Sequence, residues 1–436
     1  MTRRFRFCLL LAVALVSILG ISATHARQGS SPLASDFDAV PAMEWMNLAY
    51  DRIQADEVNA PAVSRLYAYA AITLYESVVD GIPDNLSLGG QLNELPALPL
   101  PSASEVYDWH AVSDAALLTV LREIFSGFPD SVAAFADLHD QHLEARTAAT
   151  SPDVAASSVE YGHTLGAALL EWMAGDHFAE RSLGYTFPEN DPSTWVMTDD
   201  SPDPVEPDWG SIRTLYLPEA TRCDIDNDVA FSTDEGSVFF AQAMEVFEVG
   251  NRLTQEEKDI AEFWIDTPGQ TGAPTGHWIH IAGDLILQEG LMLDRAAELY
   301  VLVAMALMDA NIATWNYKYA YPLIRPVTYI RETISRRWQS YLETPMFPEY
   351  PSGHSVVSGT AAAILTHYFG GPRAFTNTNI TPSGLQTRTF TSFWAAAQEG
   401  AISRMYGGIH YRAAIENGVE MGRCIGTYLA EHVRLR

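Results

Sequence analysis

Apolar residues recur at three- and four-residue intervals through almost the whole of this chain, the period at which side chains gather on one face of an α-helix. Such stretches run over 42–54, 62–79, 111–125, 154–173 and 237–249, and then over 255–265, 277–288, 295–317, 354–368, 392–406 and 413–432. No convincing set of segments alternates apolar and polar residues as half-buried strands do. The expectation is therefore an all-α protein of packed helical bundles. Thr254 followed three residues later by Glu257 is a capping-box pattern that starts one of these helices. Leu299 to Met308 is almost wholly apolar, but ten residues cannot span a bilayer, so a buried central helix is expected there.

Arg3, Arg4 and Arg6 precede an apolar run from Phe7 to Ile21 and small residues at Thr24 to Ala26. That is the layout of a secretory signal peptide over 1–26, and it implies a secreted or periplasmic protein with no integral membrane domain. About 410 residues then remain, more than one small core usually fills. An N-terminal helical region over 27–186 and a C-terminal helical domain over 235–436 are expected. Between them, 187–234 is rich in Pro, Asp, Ser and Trp, and Pro188, Pro192, Pro202, Pro204 and Pro207 block helix. Asp224, Asp226 and Asp228 open like a calcium loop but lack its mid-loop Gly and closing Glu, so a solvated acidic turn is the better reading. A net charge of −29 argues against nucleic-acid partners, which select basic surfaces. Any anion site must then be a local cluster of cations working against the global field. Cys8 lies in the leader, leaving Cys223 and Cys424. A disulfide and two buried thiols are both compatible with an oxidising compartment.

Three segments of the last third gather cations and imidazoles. Lys318 stands at the end of the long apolar helix, with Arg325 and Pro326 shortly after it in KYAYPLIRP. In YPSGHSVVSG, Ser352 is placed as N-cap, with Gly353 and His354 opening an apolar helix. The free N–H groups and positive dipole end of that helix form an anion cradle. In SRMYGGIH, Ser403 and Arg404 close one helix, Gly407 and Gly408 break it, and His410 precedes the next. Taken singly, each segment also reads as an ordinary cap, a surface cation or a core histidine.

Together, the three segments resemble the vanadium haloperoxidase and type-2 phosphatidic acid phosphatase (PAP2) superfamily, and FWIDTPGQTGAPTGHW and MFPEYPSGHS resemble its soluble haloperoxidase branch. The resemblance implies that Lys318, Arg325, Ser352, Gly353 and Arg404 bind the oxygens of a tetrahedral anion. It further implies that His410 is the axial ligand of vanadate and that His354 is the acid–base group. The cofactor implied is vanadate, with phosphate able to occupy the same place. The implied substrates are hydrogen peroxide and halide. The alternative is a secreted acid phosphatase cleaving phosphate esters through a phosphohistidine at His410. Trp315 and Phe347 fall where the family lines its halide pocket, and Asp266 where it offers Arg404 a partner. One position departs from the pattern: the acid usually found four residues after the ligand histidine is Ala414 here. Its loss puts the orientation and basicity of His410 in question and leaves open a retained oxyanion-binding module without catalysis. A zinc or iron site on His277, His280 and Asp284 is a weaker reading, since no fourth ligand is evident.

Overall fold

The helical periodicity materialises as thirteen α-helices among the residues described in this computed structural model, which are 30–188, 190–198, 203–225, 229–381 and 383–436. The expected leader, and the Asp226 and Asp228 of the acidic turn, lie outside them. The helices are α1 (Val40–Ala55), α2 (Ala60–Val78), α3 (Trp109–Ile124), α4 (Pro129–Ala149), α5 (Pro152–Met173), α6 (Val238–Gly250), α7 (Gln255–Phe263), α8 (Ala273–Glu289), α9 (Leu293–Ala320), α10 (Pro326–Thr333), α11 (Gly353–Tyr368), α12 (Phe393–Tyr406) and α13 (Arg412–His432). Side-chain caps set the starts of seven of them. Asn59, Asp108, Ser151, Ser237, Thr254, Ser352 and Ser392 each accept a first-turn backbone N–H, and Thr254 and Glu257 complete the capping box. Helix α4 escaped the periodicity because it buries only Ser131, Phe135 and His139.

Helix α9 is the centre of the molecule. It is long and apolar enough to cross a membrane, yet it lies inside the fold, with nearly every side chain from Leu293 to Trp315 buried. It packs against α2, α8, α11 and α13, and one continuous apolar core runs from Ala34 to Leu435. The Pro- and Asp-rich connection is irregular but firmly held. The buried carboxylate of Asp309 accepts the backbone N–H groups of Leu215, Tyr216 and Leu217 at 2.6, 3.1 and 2.9 Å. Cys223 and Cys424 are disulfide-bonded and close the connection onto α13.

Helices α11 and α13 approach so closely that backbones touch. A methyl group on Gly359 would stand 2.5 Å from the Val419 carbonyl oxygen, and one on Gly422 would overlap the Val356 carbonyl. This contact fixes the start of α11, with Ser352 to His354, against the start of α13, which follows His410.

The fold is all-α in class as expected, with one short hairpin among the described residues that periodicity did not reveal. Phe375–Thr381 (β1) and Gly384–Phe390 (β2) form an antiparallel hairpin. Its inward positions on β1 are Phe375, Asn377, Asn379 and Thr381, so the buried face is mostly polar and leaves no apolar alternation to read. Thr376 meets Thr389 and Thr378 meets Thr387 on the outer face, the cross-strand pairing that favours strands over helix.

Candidate oxyanion site

Lys318, in the last turn of α9, is fully buried, and its ammonium donates to the carbonyls of Pro348, Glu349 and Pro351 at 3.0, 3.0 and 2.5 Å. An ammonium has three donors, so Lys318 clasps the turn leading into Ser352. Binding an anion oxygen requires it to release one carbonyl. Burial, with Arg325 next, holds its pKa well below the usual lysine value. Arg325, the residue before α10, is also fully buried. Its Nε donates to the Phe347 carbonyl at 3.0 Å, and its Nη1 donates to the Ile409 carbonyl at 2.9 Å and lies 3.2 Å from His410 Nε2. Its Nη2 has no partner. Arg404, near the end of α12, donates Nη1 to the Trp264 carbonyl, and its Nε is likewise buried without a partner. Burial lowers both guanidinium pKa values to about 10, which still leaves both cationic at neutral pH.

Ser352 caps α11 as expected, its hydroxyl accepting from the Ser355 N–H and hydroxyl. Gly353, His354, Arg404 and His410 line one cavity of about 280 Å³, together with Trp315 and Phe347, whose rings sit 5.0 Å apart. Lys318 and Arg325 lie behind Phe347, each about 5.0 Å from its ring centre. The outer wall comes from elsewhere. Asn59, Ala60 and Pro61 at the start of α2 and Val205 of the connection also line the cavity. Val205 is tied there, its carbonyl accepting from Trp315 Nε1 and the Tyr319 hydroxyl and its N–H donating to the Met346 carbonyl.

The carboxylate missing at position 414 is supplied by Glu349. Its Oε1 lies 2.8 Å from His410 Nδ1 and accepts the Tyr411 N–H at 2.9 Å. A proton on Nδ1 directed at Glu349 leaves the Nε2 lone pair facing Arg325. Burial, then Arg325, Lys318 and Arg404, hold the His410 pKa well below the ordinary imidazole range, so the ring is neutral. Burial pushes Glu349 up to about 7, against the pull of Arg325, the Tyr411 N–H and Lys318. Ala414 instead offers its carbonyl to the Ser352 N–H at 3.1 Å.

Asp266 acts on Arg404 through charge, while its oxygens face two imidazoles. Its Oδ1 faces His277 Nδ1 at 3.0 Å and its Oδ2 faces His354 Nε2 at 3.4 Å. Burial alone would raise its pKa, but His277 and His354 outweigh it and hold it below the usual carboxylate range. Burial and Arg404 lower His354 to about 4, with Asp266 opposing. Both ring nitrogens of His277 are engaged, by Asp266 and Asn377. Among the described residues no three His, Cys, Asp or Glu side chains gather as a metal site.

What has assembled is an all-helical scaffold presenting a buried, positively charged pocket at a capped helix start. Three cations face two carboxylates there, so positive charge is in excess. Buried guanidinium N–H groups stand unmatched beside a neutral imidazole lone pair, and that donor set fits a tetrahedral oxyanion with a histidine-coordinated centre.

Comparison with known proteins places this scaffold. A family profile described as the VCPO second helical-bundle domain matches residues 298–435. A crystal structure titled as the first bacterial vanadium-dependent iodoperoxidase superposes with a TM-score of 0.87 at 33% identity, covering 93% of this chain and 99% of that one. Apo and holo bacterial vanadium-dependent chloroperoxidases superpose at 0.66 and 0.64, with 16% and 17% identity, over 86% and 93% of this chain and 93% and 94% of theirs. A search of curated proteins gives no significant match. The chain belongs to the vanadium-dependent haloperoxidase family.

Glu349 and Asn377 are the site-related residues that sequence reasoning missed, and His277 was singled out only as a weak metal-ligand candidate. Of the two missed, Glu349 left a trace, three residues before Ser352 in PEYPSGH.

Proposed function

We propose that this chain is an exported vanadate-dependent haloperoxidase that oxidises halide with hydrogen peroxide, turning peroxide, halide and a proton into hypohalous acid and water. The observation that carries the reading is the pair of buried, unpartnered guanidinium donors, Arg325 Nη2 and Arg404 Nε, beside the Nε2 lone pair of His410. The relationship to an iodoperoxidase over almost the full chain supports it.

Bound vanadate supplies an electrophilic centre at which peroxide is activated toward halide without a change in the oxidation state of the metal. The protein's own residues do the rest. Glu349 keeps the His410 proton on Nδ1, so Nε2 is the ligand atom. Arg325, Arg404 and the first-turn N–H groups of α11 neutralise the oxyanion in a desolvated setting, where each contact is stronger than in water. Lys318 adds charge and fixes the turn that carries Ser352 and Gly353. His354, neutral at working pH, takes a proton from the incoming peroxide and returns one to the departing water. Trp315 and Phe347 give halide an apolar wall.

The test uses mature protein freed of phosphate and reloaded with vanadate. Peroxide with iodide or bromide and a halogenatable diketone is assayed beside phosphate-ester hydrolysis without vanadate. Vanadate-dependent halogenation, abolished in His410→Ala, is the expected result. Ester hydrolysis without halogenation would replace this reading with that of a phosphatase.

A further inference from the structure

The hairpin that sequence periodicity concealed reaches the site through one buried residue. Asn377 on β1 sits between an acceptor-only carboxylate and an imidazole. Its amide nitrogen donates to Asp284 Oδ2 at 2.9 Å, and its amide oxygen lies 2.9 Å from His277 Nε2. Because Asp284 as a carboxylate can only accept, the amide must turn its NH2 toward it and its oxygen toward His277. His277 Nε2 must therefore carry a proton. On the other side of the ring, Nδ1 lies 3.0 Å from Asp266 Oδ1. The charge and hydrogen bond of His277, with His354 adding, outweigh burial and hold Asp266 below the usual carboxylate range, and an ionised Asp266 at 3.0 Å can only accept, so Nδ1 carries a proton as well. The imidazole is thus a fully buried cation, and its face stacks on Trp264 with ring centres 4.5 Å apart, the contact a buried cation gains most from. His280, four-tenths exposed, lies 3.8 Å from Asp284 Oδ1, while Tyr50 and Arg404 act on Asp266 through charge and Tyr300 acts on Asp284.

We infer that His277 and Asn377 are positioning residues for catalysis: a permanently doubly protonated imidazole, oriented by the hairpin, aims Asp266 at His354. The consequence falls on His354. With Oδ1 occupied by His277, Oδ2 of Asp266 faces His354 Nε2 at 3.4 Å, an ion-pair contact that is not aligned as a hydrogen bond. The charge of that carboxylate favours a proton on Nε2 and leaves Nδ1 as the nitrogen whose proton changes during turnover. Without the His277 cation, Asp266 is a buried carboxylate left with the charge of Arg404 and the unaligned contact to His354, which favours its protonation and frees His354 to change tautomer. The backbone supports the arrangement. Asp266 adopts a left-handed conformation, φ 46°, rare for a residue other than glycine, which places its carboxylate between the two imidazoles.

The inference deepens the haloperoxidase reading, and its spectroscopic test requires no activity. Protein with 15N-labelled histidine and free of vanadate is examined by imidazole NMR from pH 6 to 8. The expected spectrum shows one histidine, absent from His277→Gln, with both ring nitrogens protonated throughout, and shows His354 as the Nε2–H tautomer. In His277→Gln and in Asn377→Leu, His354 should lose that single tautomer. In the vanadate-loaded enzyme, kcat should drop about tenfold or more while vanadate affinity changes less, the scale of an outer-shell substitution. The wild-type spectrum carries the test by itself if the variants fail to fold. A neutral His277 at pH 7 in the wild-type protein overturns the inference. So does an unchanged His354 tautomer in a folded His277→Gln. Loss of the tautomer in a protein that never halogenates would leave this inference standing and sink the haloperoxidase reading.

Discussion

At the scale of single residues, the site turns on which carboxylate holds His410. A motif search looks four residues downstream and finds Ala414. The fold brings Glu349 from 61 residues upstream, against Nδ1. Glu349→Gln keeps the shape and an acceptor but removes the charge that fixes the His410 tautomer. Vanadate affinity, read by equilibrium dialysis, should fall about 10- to 100-fold with the fold intact; a change under twofold would show that Glu349 plays no part. Most of the site was legible in the sequence, since Lys318, Arg325, Ser352, Gly353, His354, Arg404 and His410 lie in short motifs with fixed spacing. Their partners were not, because hydrogen bonds between distant segments leave no periodic trace. Lys318 shows the difference. Its identity was readable, yet its engagement by the carbonyls of Pro348, Glu349 and Pro351 follows only from the path of the turn.

Among the elements, α11 and α13 bring the two halves of the pocket together. Gly422→Ala places a methyl against the Val356 carbonyl, and backbone cannot yield as a side chain does. The helices must separate, at a cost of about 1–3 kcal/mol by urea denaturation. Vanadate binding should weaken with it, because His354 and His410 ride on those helix starts; an unchanged urea midpoint would show that the helices absorb the methyl. A second element contact responds to pH. His142 on α4 lies 3.0 Å from Asp114 of α3 and 2.8 Å from Glu44 of α1. Burial would lower its pKa, but the hydrogen bonds and charges of Asp114 and Glu44 outweigh that and raise it. A raised folded-state value contributes stability below the ordinary imidazole pKa, and that contribution is lost as pH climbs through the raised value. His142→Gln should therefore destabilise the protein more at pH 6 than at pH 9. Equal losses at both would contradict the ion pairs. Helices such as α9 were legible because each carries an apolar stripe. The hairpin was not, because the inward residues of β1 include Asn377 and Asn379, each spent on a specific hydrogen bond.

For the molecule as a whole, a chain of net charge −29 concentrates cations in the pocket proposed for an anion, burying Lys318, Arg325 and Arg404 together. Burying them requires a rigid surrounding, which the central α9 and a core shared by both halves provide. The Cys223–Cys424 disulfide, across a separation of 201 residues, adds to that rigidity. On the chain-entropy view its loss costs about 5 kcal/mol. The double Cys223→Ser, Cys424→Ser variant should therefore unfold at clearly lower urea, whereas an unchanged midpoint would mean that core packing alone holds the connection on α13. The account's central claim is that this pocket holds vanadate through His410. A crystal structure of the vanadate-loaded protein tests it most directly. The account predicts vanadium bonded to His410 Nε2, with Arg325 and Arg404 donating to its oxygens. Vanadate bound elsewhere, or a pocket that stays without it at saturating concentration, would contradict that claim.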